Sequence, residues 1–428
     1  MIRTAPARSY DVIVIGAGPA GSSAAAVLAE SGRRVVILER ERFPRYRVGE
    51  SLIPYCWFPL QRIGVLDKMR DAGFAVVKRS VQFVSVEGDG VTPFFFAQHT
   101  GHPCASTWQV RRDLFDQMLV DHAQERGAEL LMETSARSLL SENNRVVGVA
   151  ARTADGETLE LRAPMTIDAS GRDLFAVNQA GWRMPDTELR KIAVWTYYQG
   201  AVRHEGTDEG ATTVAFVPDK GWFWYIPLPD DIVSVGIVAE RDYLYRGERD
   251  PRVIFEREVA DQPWVRRRLA PGRRVGEFRV TGDYSYRSRH SAANGLLLIG
   301  DAFAFLDPVF SSGVFLALYS GVIGAEAVDA ALSAGDVTAA RFTDYSDRLC
   351  HAIEAMRRLV YAFYDTAFSF GELMRAHPHL RRDLTDCLIG NLDRDFTALF
   401  DAVAEFADVP SALAHGRPLA QGLPSSHE

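Results

Sequence analysis

The chain has 428 residues, 47% of them hydrophobic, and a formal net charge of -8 at pH 7. This length exceeds one compact core, so we expect two or three structural units. The hydrophobic share is typical of a globular protein, and the negative charge argues against a nucleic-acid partner.

No uninterrupted apolar run reaches the roughly 18 residues that a membrane-spanning helix needs. Residues 1–6 lack the apolar segment of a secretion signal. The cysteines form no CxxC pair and have no metal-ligand spacing; they are Cys56, Cys104, Cys350 and Cys387. We therefore expect a cytoplasmic protein with buried, reduced thiols, no membrane span and no metal site.

The strongest pattern lies near the N-terminus. A stretch rich in β-branched residues, 10–15, predicts a strand buried on both faces. A GxGxxG turn over 16–21, a helix over 22–29 and a second apolar strand over 33–38 follow it, and Glu39 stands at the end of that strand. This order predicts a Rossmann-like dinucleotide site, with a structural glycine turn as the alternative.

Each residue type in this turn has a physical task. Gly16 permits the tight turn, Gly18 lets the backbone approach a pyrophosphate, and Gly21 allows close packing of helix against strand. Ala20 lies in the same turn, where the free N–H groups of the helix face the phosphates. The Glu39 carboxylate can accept hydrogen bonds from a ribose diol.

A loop over residues 42–54 follows the second strand and contains three arginines. Its position predicts that it returns over the cofactor, with an ordinary solvated connection as the alternative. Its candidate cofactor-binding residues are Arg47, Gly49, Glu50 and Ser51.

In the rest of the chain, predicted helices and strands alternate at first. A β-rich stretch follows, and the C-terminal part is helical. Helices are predicted over 57–75, 113–126, 314–334 and 337–406. Strands are predicted over 81–86, 129–133, 146–152, 158–161, 165–167, 212–217, 222–227, 232–238 and 295–299, within a mostly β stretch from 192 to 280. Lys78 lies just before the strand predicted over 81–86. The simplest structural interpretation is that its side chain lies on the surface. The last dozen residues are expected to be frayed.

Three glycine-bearing signatures stand in order: the GxGxxG turn, a DxxG turn over 168–171, and Gly300 followed by Asp301. Together they resemble the FAD-dependent monooxygenases of the two-domain type related to p-hydroxybenzoate hydroxylase, over about residues 8–335. The resemblance implies that the first turn holds the ADP half of FAD. It also implies that Asp301 meets the ribityl-pyrophosphate and that Arg112 reaches the cofactor.

A narrower resemblance lies inside this one. Residues 221–227 read GWFWYIP and are similar to the WxWxIP signature of the flavin-dependent halogenases. Three further segments resemble the same family: 47–54 its flavin-covering loop, 74–79 the segment with its lysine, and 307–313 the loop beside flavin and halide. Pro308 and Gly313 join the candidate cofactor-binding residues on this basis.

The family resemblance implies a reaction of reduced FAD (FADH₂) with O₂ and chloride or bromide that yields hypohalous acid. Lys78 would hold this oxidant, by hydrogen bond or as a haloamine, for attack by an electron-rich ring. Burial would favour the haloamine by lowering the lysine pKa. Ser312 and Gly313 would bind the halide, with a simple Ser N-cap as the alternative.

Trp222 and Trp224 are two apart on a strand and therefore point to one face. By the same resemblance they would keep the substrate away from the flavin, so that it is halogenated and not hydroxylated. Plain aromatic core packing is the alternative. The tryptophan halogenases carry a glutamate where this chain has Phe310, which resembles the branch that acts on phenols and pyrroles. The general base is left unassigned.

That branch implies a small aromatic substrate, phenolic (orsellinate-like) or pyrrolic, free or tethered to an acyl or peptidyl carrier protein. Carrier proteins are usually acidic, and the C-terminal region offers Arg357, Arg358, Arg375, Arg381 and Arg382 for docking, with a solvated helix face as the alternative. A single dinucleotide fingerprint implies a separate NAD(P)H-dependent flavin reductase. An aromatic hydroxylase and a catalytically inactive flavoprotein remain as alternative functions.

The expected fold is α/β: a Rossmann-like FAD-binding domain, an inserted, mostly antiparallel β-sheet on the substrate side, and a helical C-terminal region. The FAD-binding domain is predicted over 1–75, 107–175 and 285–335. The substrate-side domain is predicted over 76–106 and 176–284, and the helical region over 336–428.

Overall fold

The computed structural model describes residues 8–218, 221–282 and 285–420. The expectations for residues 1–6, and for the end of the chain beyond residue 420, lie outside this part.

The strands fall into five sheets. They are β1 (Arg8–Ser9), β2 (Val12–Ile15), β3 (Val35–Leu38), β4 (Ala75–Lys78), β5 (Ser80–Val84), β6 (Val91–Phe95), β7 (Thr107–Val110), β8 (Glu129–Leu131), β9 (Thr134–Glu142), β10 (Arg145–Thr153), β11 (Thr158–Arg162), β12 (Met165–Asp168), β13 (Arg183–Pro185), β14 (Lys191–Gln199), β15 (Thr212–Val217), β16 (Gly221–Leu228), β17 (Ile232–Glu240), β18 (Arg273–Arg274), β19 (Arg279–Gly282), β20 (Tyr286–Ser288), β21 (Ala292–Ala293), β22 (Leu296–Leu298) and β23 (Ala304–Phe305).

The helices cluster near the N-terminus, in the middle of the chain and at its C-terminal end. They are α1 (Pro19–Glu30), α2 (Trp57–Arg62), α3 (Leu66–Arg70), α4 (Arg112–Glu125), α5 (Phe175–Gln179), α6 (Arg241–Leu244), α7 (Pro251–Asp261), α8 (Pro263–Leu269), α9 (Gly313–Ser333), α10 (Thr343–Tyr364), α11 (Phe370–Ala376), α12 (Arg381–Ile389) and α13 (Thr397–Val403).

The first layer is a six-stranded sheet in the order β21-β22-β12-β2-β3-β8. Its strands run parallel except β21. Because the carboxyl ends of parallel strands meet at one edge, the glycine turn after β2, Glu39 after β3, the turn after β12 and Gly300 after β22 come together. This is the Rossmann-like arrangement that the sequence predicts.

The second large sheet has eight strands, in the order β18-β14-β17-β16-β15-β5-β6, with β19 also paired to β14. Its pairs are antiparallel except for β15 with β5. The mostly antiparallel sheet is therefore confirmed. The pleat sends alternate residues of β16 to opposite faces, so Trp222 and Trp224 pack in the core shared with the first sheet, whereas Phe223 and Tyr225 pack in a second core.

Several local predictions were wrong. The single helix over 57–75 is two short helices, α2 and α3, because Gly64 adopts a φ of +82° that a helix interior does not allow. The mostly β stretch over 192–280 contains α6, α7 and α8, two of which begin at a proline. Strand β9 was missed, since its exposed and half-buried residues do not alternate cleanly.

The alternative interpretation of Lys78, a surface lysine just before a strand, does not match the structure, because Lys78 is the last residue of β4. Strand β4 pairs only with β7 in a two-stranded sheet, where Lys78 lies opposite Thr107. The lysine side chain is 1% exposed. The surface interpretation of this lysine is therefore wrong.

Helix α9 is long and apolar enough to cross a membrane by length and composition, but 67% of its apolar window is buried within the fold. It packs on α1 so closely that a Cβ at Gly321 would lie 2.5 Å from the carbonyl oxygen of Ala20. This helix behaves as a core element of the layer built on the six-stranded sheet.

The C-terminal helices pack against the eight-stranded sheet. The ring of Phe363 lies 5.7 Å from the rings of Phe216 and Phe310, so this aromatic residue belongs to the core. Arg357, expected in a docking patch, is buried and pairs with Glu354 at 2.9 Å. It therefore cannot contact a carrier protein. Three other members of that patch are exposed: Arg375, Arg381 and Arg382.

Candidate active site

One cavity of about 580 Å³ extends from the glycine turn after β2 to the indoles of β16. The two sheets form its opposite walls. Fifteen residues singled out from the sequence line it: Gly16, Gly18, Ala20, Glu39, Arg47, Gly49, Glu50, Ser51, Arg112, Trp222, Trp224, Asp301, Pro308, Ser312 and Gly313. Gly21 and Lys78 are not part of its wall.

The three glycines of the turn differ in what surrounds them. Gly16 has a φ of +102°, and a Cβ there would lie 2.4 Å from the carbonyl oxygen of Ala169. A Cβ at Gly21 would lie 2.0 Å from the carbonyl oxygen of Gly16. At Gly18 the nearest protein atom, on Arg45, is 3.9 Å away. The space in front of Gly18 and the N-terminus of α1 therefore fits a pyrophosphate.

Glu39 is held at the end of β3 by backbone N–H groups. Its Oε2 atom accepts from Ala17 at 3.2 Å, and its Oε1 atom accepts from Glu41 at 2.9 Å. Arg45, which the sequence did not single out, donates to Glu39 at 3.3 Å and to Asp116 at 2.8 Å. The only sequence signal for Arg45 was its place in an arginine-rich loop. These contacts fix the carboxylate that a ribose diol would meet.

Arg112 fastens the loop over 42–54 to the cavity wall. Its guanidinium donates to both carboxylate oxygens of Asp116, at 2.9 and 3.1 Å, and to the carbonyl oxygens of Val48 and Gly49, at 2.8 and 3.2 Å. Arg47 instead pairs with Glu41 at 2.6 Å, so its charge is compensated at the mouth of the cavity.

Two buried carboxyl groups lie on the same wall. Burial raises the pKa of Asp301 to about 6, against the opposing charges of Arg172 and Arg112. Burial also raises the pKa of Asp307 to about 6. Asp307 accepts hydrogen bonds from the N–H of Val309 at 3.0 Å and the hydroxyl of Tyr364 at 2.9 Å. Burial therefore favours the neutral form of both acids more than it does for an exposed aspartate.

Helix α9 points its N-terminus into the cavity. Ser312 occupies the N-cap position, but its side chain makes no capping hydrogen bond, so the simple cap interpretation is wrong. A Cβ at Gly313 would meet no atom within 4 Å. The open space in front of these backbone N–H groups suits a small anion or a polar ring edge.

Trp222 and Trp224 line the cavity side by side, as their spacing on a strand predicts. Their ring centroids are 6.3 Å apart, with an interplanar angle of 51°. The indole N–H of Trp222 donates to Tyr364 at 2.9 Å, and that of Trp224 donates to Ser234 at 3.0 Å. Tyr364, which comes from the distant α10, was not found from sequence. Both indoles are held in fixed orientations.

Lys78 lies just behind the cavity wall. Its Nζ atom donates to Ser51 Oγ at 2.8 Å and to the carbonyl oxygen of Leu52 at 3.1 Å. Burial lowers the pKa of Lys78 to about 7, and nearby Cys56 opposes this effect. Ser51 also shares a hydrogen bond of 2.8 Å with Thr212. Ser51 and Thr212, which both line the cavity, therefore separate the lysine from it.

Several features of the cavity fit FAD. It offers two helix N-termini, an acidic residue at the end of β3 and uncrowded glycines where a cofactor backbone or ring must approach. Within 8–218, 221–282 and 285–420, no group of three or more His, Cys, Asp or Glu residues could hold a metal ion.

Comparison with known proteins agrees with this site. A family model described as tryptophan halogenase matches residues 11–108 and 96–369. The 1H-pyrrole-2-carbonyl peptidyl-carrier-protein brominase of Pseudoalteromonas luteoviolacea is 32% identical over 386 residues, which is 90% of this chain and 92% of that protein. The corresponding chlorinase of Pseudomonas fluorescens is 28% identical, over 90% of this chain and 89% of that protein.

A solved structure shows the same fold. The flavin-dependent brominase Bmp2 superimposes with a TM-score of 0.84 at 29% identity, over 93% of this chain and 98% of that chain. The family model, the relatives and the cavity with its paired indoles lead to one conclusion: this chain belongs to the tryptophan halogenase family and is a flavin-dependent halogenase.

Proposed function

We propose that this halogenase uses reduced FAD, O₂ and chloride or bromide to halogenate a phenolic or pyrrolic acyl group carried on a carrier protein, with Lys78 as the residue that transfers the halogen. When bound, reduced FAD supplies with O₂ the oxidising power that turns a halide into hypohalous acid. The residues around the cavity bind, separate and direct the reactants.

The observation that carries this proposal is the environment of the Lys78 amine. Among the described residues, no carboxylate pairs with it; its hydrogen-bond acceptors are on Ser51 and Leu52, and the centre of the Phe96 ring lies 5.6 Å away. A neutral amine has two N–H bonds, which these acceptors satisfy, and one lone pair that remains available for an electrophilic halogen. Burial favours this neutral form. The site therefore suits a haloamine.

The position of Lys78 suits transfer between two compartments. The cavity would hold the flavin and the halide, the latter at Ser312 and Gly313, whereas Lys78 lies beyond Ser51 and Thr212. Hypohalous acid is small and neutral, so it could pass two hydroxyl groups that exclude an aromatic ring. In this arrangement the halogen reaches the amine and the substrate does not reach the flavin.

The paired indoles favour halogenation over hydroxylation. Hydrogen bonds to Tyr364 and Ser234 hold the indoles of Trp222 and Trp224 in place, so rotation of these side chains out of the cavity wall is unfavourable. An aromatic hydroxylase must bring its substrate to the flavin. Two fixed indoles in the same cavity would obstruct that approach.

The substrate class follows from Phe310 and from the named relatives. Phe310 packs edge-on against Phe363 and Phe370, so its place in the loop before α9 offers no proton acceptor. A ring activated by its own oxygen or nitrogen has less need of a strong base. The two relatives named above act on a pyrrole-2-carbonyl group held by a peptidyl carrier protein, which supports a carrier-bound substrate.

The reductant comes from outside the chain in this proposal. The sequence carries one GxGxxG dinucleotide fingerprint, and the elements around it build the FAD-side sheet. A separate NAD(P)H-dependent flavin reductase would then supply reduced flavin.

The test is a product analysis with chemically reduced FAD, O₂, and chloride or bromide. Phenolic and pyrrolic acids are offered both free and as carrier-protein thioesters, and products are identified by mass spectrometry. We expect the isotope pattern of one added halogen on a carrier-bound substrate. Halogenation of free acids alone would remove the carrier protein from the proposal. A product with added oxygen would indicate a hydroxylase, and flavin oxidation without any product would indicate an inactive binding component.

A further inference from the structure

A chain of hydrogen bonds runs from the cavity to the protein surface through Glu50. This glutamate lines the cavity and is 3% exposed. The hydroxyl of Tyr197 donates to its Oε1 atom at 2.7 Å, and the hydroxyls of Tyr197 and Tyr46 lie 2.9 Å apart. Tyr46 is 37% exposed. Neither tyrosine lines the cavity, so the chain leads from its wall to a side chain at the protein surface.

The two tyrosine hydroxyls in this chain of hydrogen bonds donate in the same direction. The single proton of the Tyr197 hydroxyl is used toward Glu50, so Tyr46 must donate to Tyr197. The oxygen of Tyr46 in turn accepts from the indole N–H of Trp195 at 2.7 Å. Both hydroxyls therefore direct their protons toward the cavity.

Two guanidinium groups lie near this chain of hydrogen bonds. Arg112 lies close to Glu50, but its charge is shared with Asp116. The guanidinium of Arg279 lies 3.7 Å from the ring centre of Tyr46. Burial raises the pKa of Glu50 against the hydrogen bond from Tyr197 and the charge of Arg112. The Glu50 carboxyl can therefore take up a proton without losing all its interactions with Tyr197 and Arg112.

Halogenation as proposed above needs a proton from solvent. Two hydrogens from reduced FAD, one hydrogen from the ring and one proton combine with the two atoms of O₂ to make two waters. The halide enters with one negative charge and leaves as a neutral carbon–halogen bond. Charge therefore balances only if each turnover consumes one proton, which must reach the flavin cavity.

We propose that Glu50, Tyr197 and Tyr46 form an inward proton path that supplies this proton to the flavin cavity; this inference rests on the proposed function. A proton reaches the oxygen of Tyr46, the hydroxyl proton of Tyr46 moves to Tyr197, and that of Tyr197 moves to Glu50 Oε1. At the start Glu50 carries a proton on its other oxygen, Oε2, which also accepts from the N–H of Gly49 at 3.3 Å. Glu50 releases this proton into the cavity as Oε1 takes up the incoming one, and rotation of the carboxyl and the two hydroxyls restores the start. One proton enters and one leaves, and no electrons move.

The test follows the acid proton of Glu50 in the protein loaded with oxidised FAD, without turnover. Infrared spectra from pH 4 to 8 identify the protonated Glu50 band by its absence in Glu50→Gln. Its exchange rate after transfer to D₂O is then measured in Tyr197→Phe and Tyr46→Phe. Tyr225→Phe is the matched control, because Tyr225 is a buried tyrosine of the same sheet whose hydroxyl donates to the carbonyl oxygen of Val202 instead.

We expect exchange at least about tenfold slower in Tyr197→Phe and Tyr46→Phe than in wild type, and unchanged in the control. A merely structural role would give the opposite direction, since a loosened wall admits water and speeds exchange. Exchange in Tyr197→Phe that is as fast as in wild type, or faster, would overturn the proposed path. A Glu50 carboxyl that stays ionised from pH 4 to 8 would also overturn it. Exchange is measured without halide or substrate, so failure to halogenate would leave this result intact.

Discussion

The Nζ atom of Lys78 lies 2.8 Å from the Oγ atom of Ser51, and this hydrogen bond joins a fully buried amine to the wall of the cofactor cavity. Lys78 itself does not reach the cavity, and Ser51 does. The relation places the cavity and the amine on two sides of one hydroxyl group. The predictions below depend on that separation and on the packing that maintains it.

Lys78→Ala should abolish halogenation, at least about 10³-fold in rate, because the variant lacks the amine that would hold the halogen, and the buried amine of Lys191 is paired with Glu240. Binding of FAD and oxidation of reduced FAD by O₂ should stay within about twofold of wild type, since Lys78 is not in the cavity wall. Product formation and flavin absorbance are measured in parallel. Full halogenation by the variant would remove Lys78 from the reaction.

Lys78→Met should change how stability depends on pH. The pKa of Lys78 falls from an ordinary 10.5 to about 7 on burial. Below pH 7 both folded and unfolded wild type carry the charge, and the fold bears the whole penalty of burying it. Between pH 7 and 10.5 only the unfolded chain keeps the proton, so the free energy of unfolding of wild type rises with pH.

The methionine variant lacks this dependence, so it should be more stable than wild type by a few kcal/mol at pH 6. The gap should shrink steadily toward pH 10.5. Urea unfolding at a series of pH values measures it. A gap that stays constant across this range would mean that the buried amine keeps its ordinary pKa.

Ser51→Ala should separate flavin chemistry from halogen transfer. The Lys78 amine would keep only the carbonyl oxygen of Leu52 as a partner, so its orientation would loosen. We expect halogenation to fall about tenfold and peroxide release to rise, with FAD affinity nearly unchanged. Ser346→Ala, which removes a buried hydroxyl bonded to Ser291 instead, is the control and should behave as wild type.

Gly18→Ala and Gly16→Ala should fail in different ways. At Gly18 a methyl group meets no protein atom closer than 3.9 Å, so the protein should fold but bind FAD about 10- to 100-fold more weakly, since the methyl fills the pyrophosphate space. At Gly16 a methyl group would strike Ala169 at a φ of +102°, so the fold itself should be destabilised. Fluorescence titration with FAD and thermal unfolding distinguish the two results. Equal FAD affinity in Gly18→Ala and wild type would place the pyrophosphate elsewhere.

Gly236→Ala should disturb the indole wall from the neighbouring strand. Gly236 lies opposite Trp224 in the register of β16 with β17, and a Cβ there would lie 2.4 Å from the indole ring and 2.5 Å from the Cβ of Trp195. We expect loss of about 1–3 kcal/mol of stability from overpacking, together with more peroxide per halogenated product. Gly73→Ala is the control, because Gly73 is exposed and a Cβ there meets nothing within 4 Å. An unchanged product ratio in Gly236→Ala would argue that Trp224 does not shield the flavin.

The sequence by itself determined the parts of this protein that depend on neighbours along the chain. The glycine spacing after β2, the acid at Glu39 and the alternation that sends Trp222 and Trp224 to one face are all local patterns. Each follows from steric rules that act over a few residues, so each could be predicted before any fold was known.

Tertiary structure alone decided what surrounds those residues. Lys78 was chosen by resemblance, but its burial and its bond to Ser51 result from the pairing of β4 with β7 and the loop that covers them. Glu50 is hydrogen-bonded to Tyr197, which is 147 positions away in the sequence. Trp222 is hydrogen-bonded to Tyr364, which is 142 positions away. Hydrophobic periodicity reports which face of an element is buried but not which element covers it, because that choice depends on packing the whole chain at once.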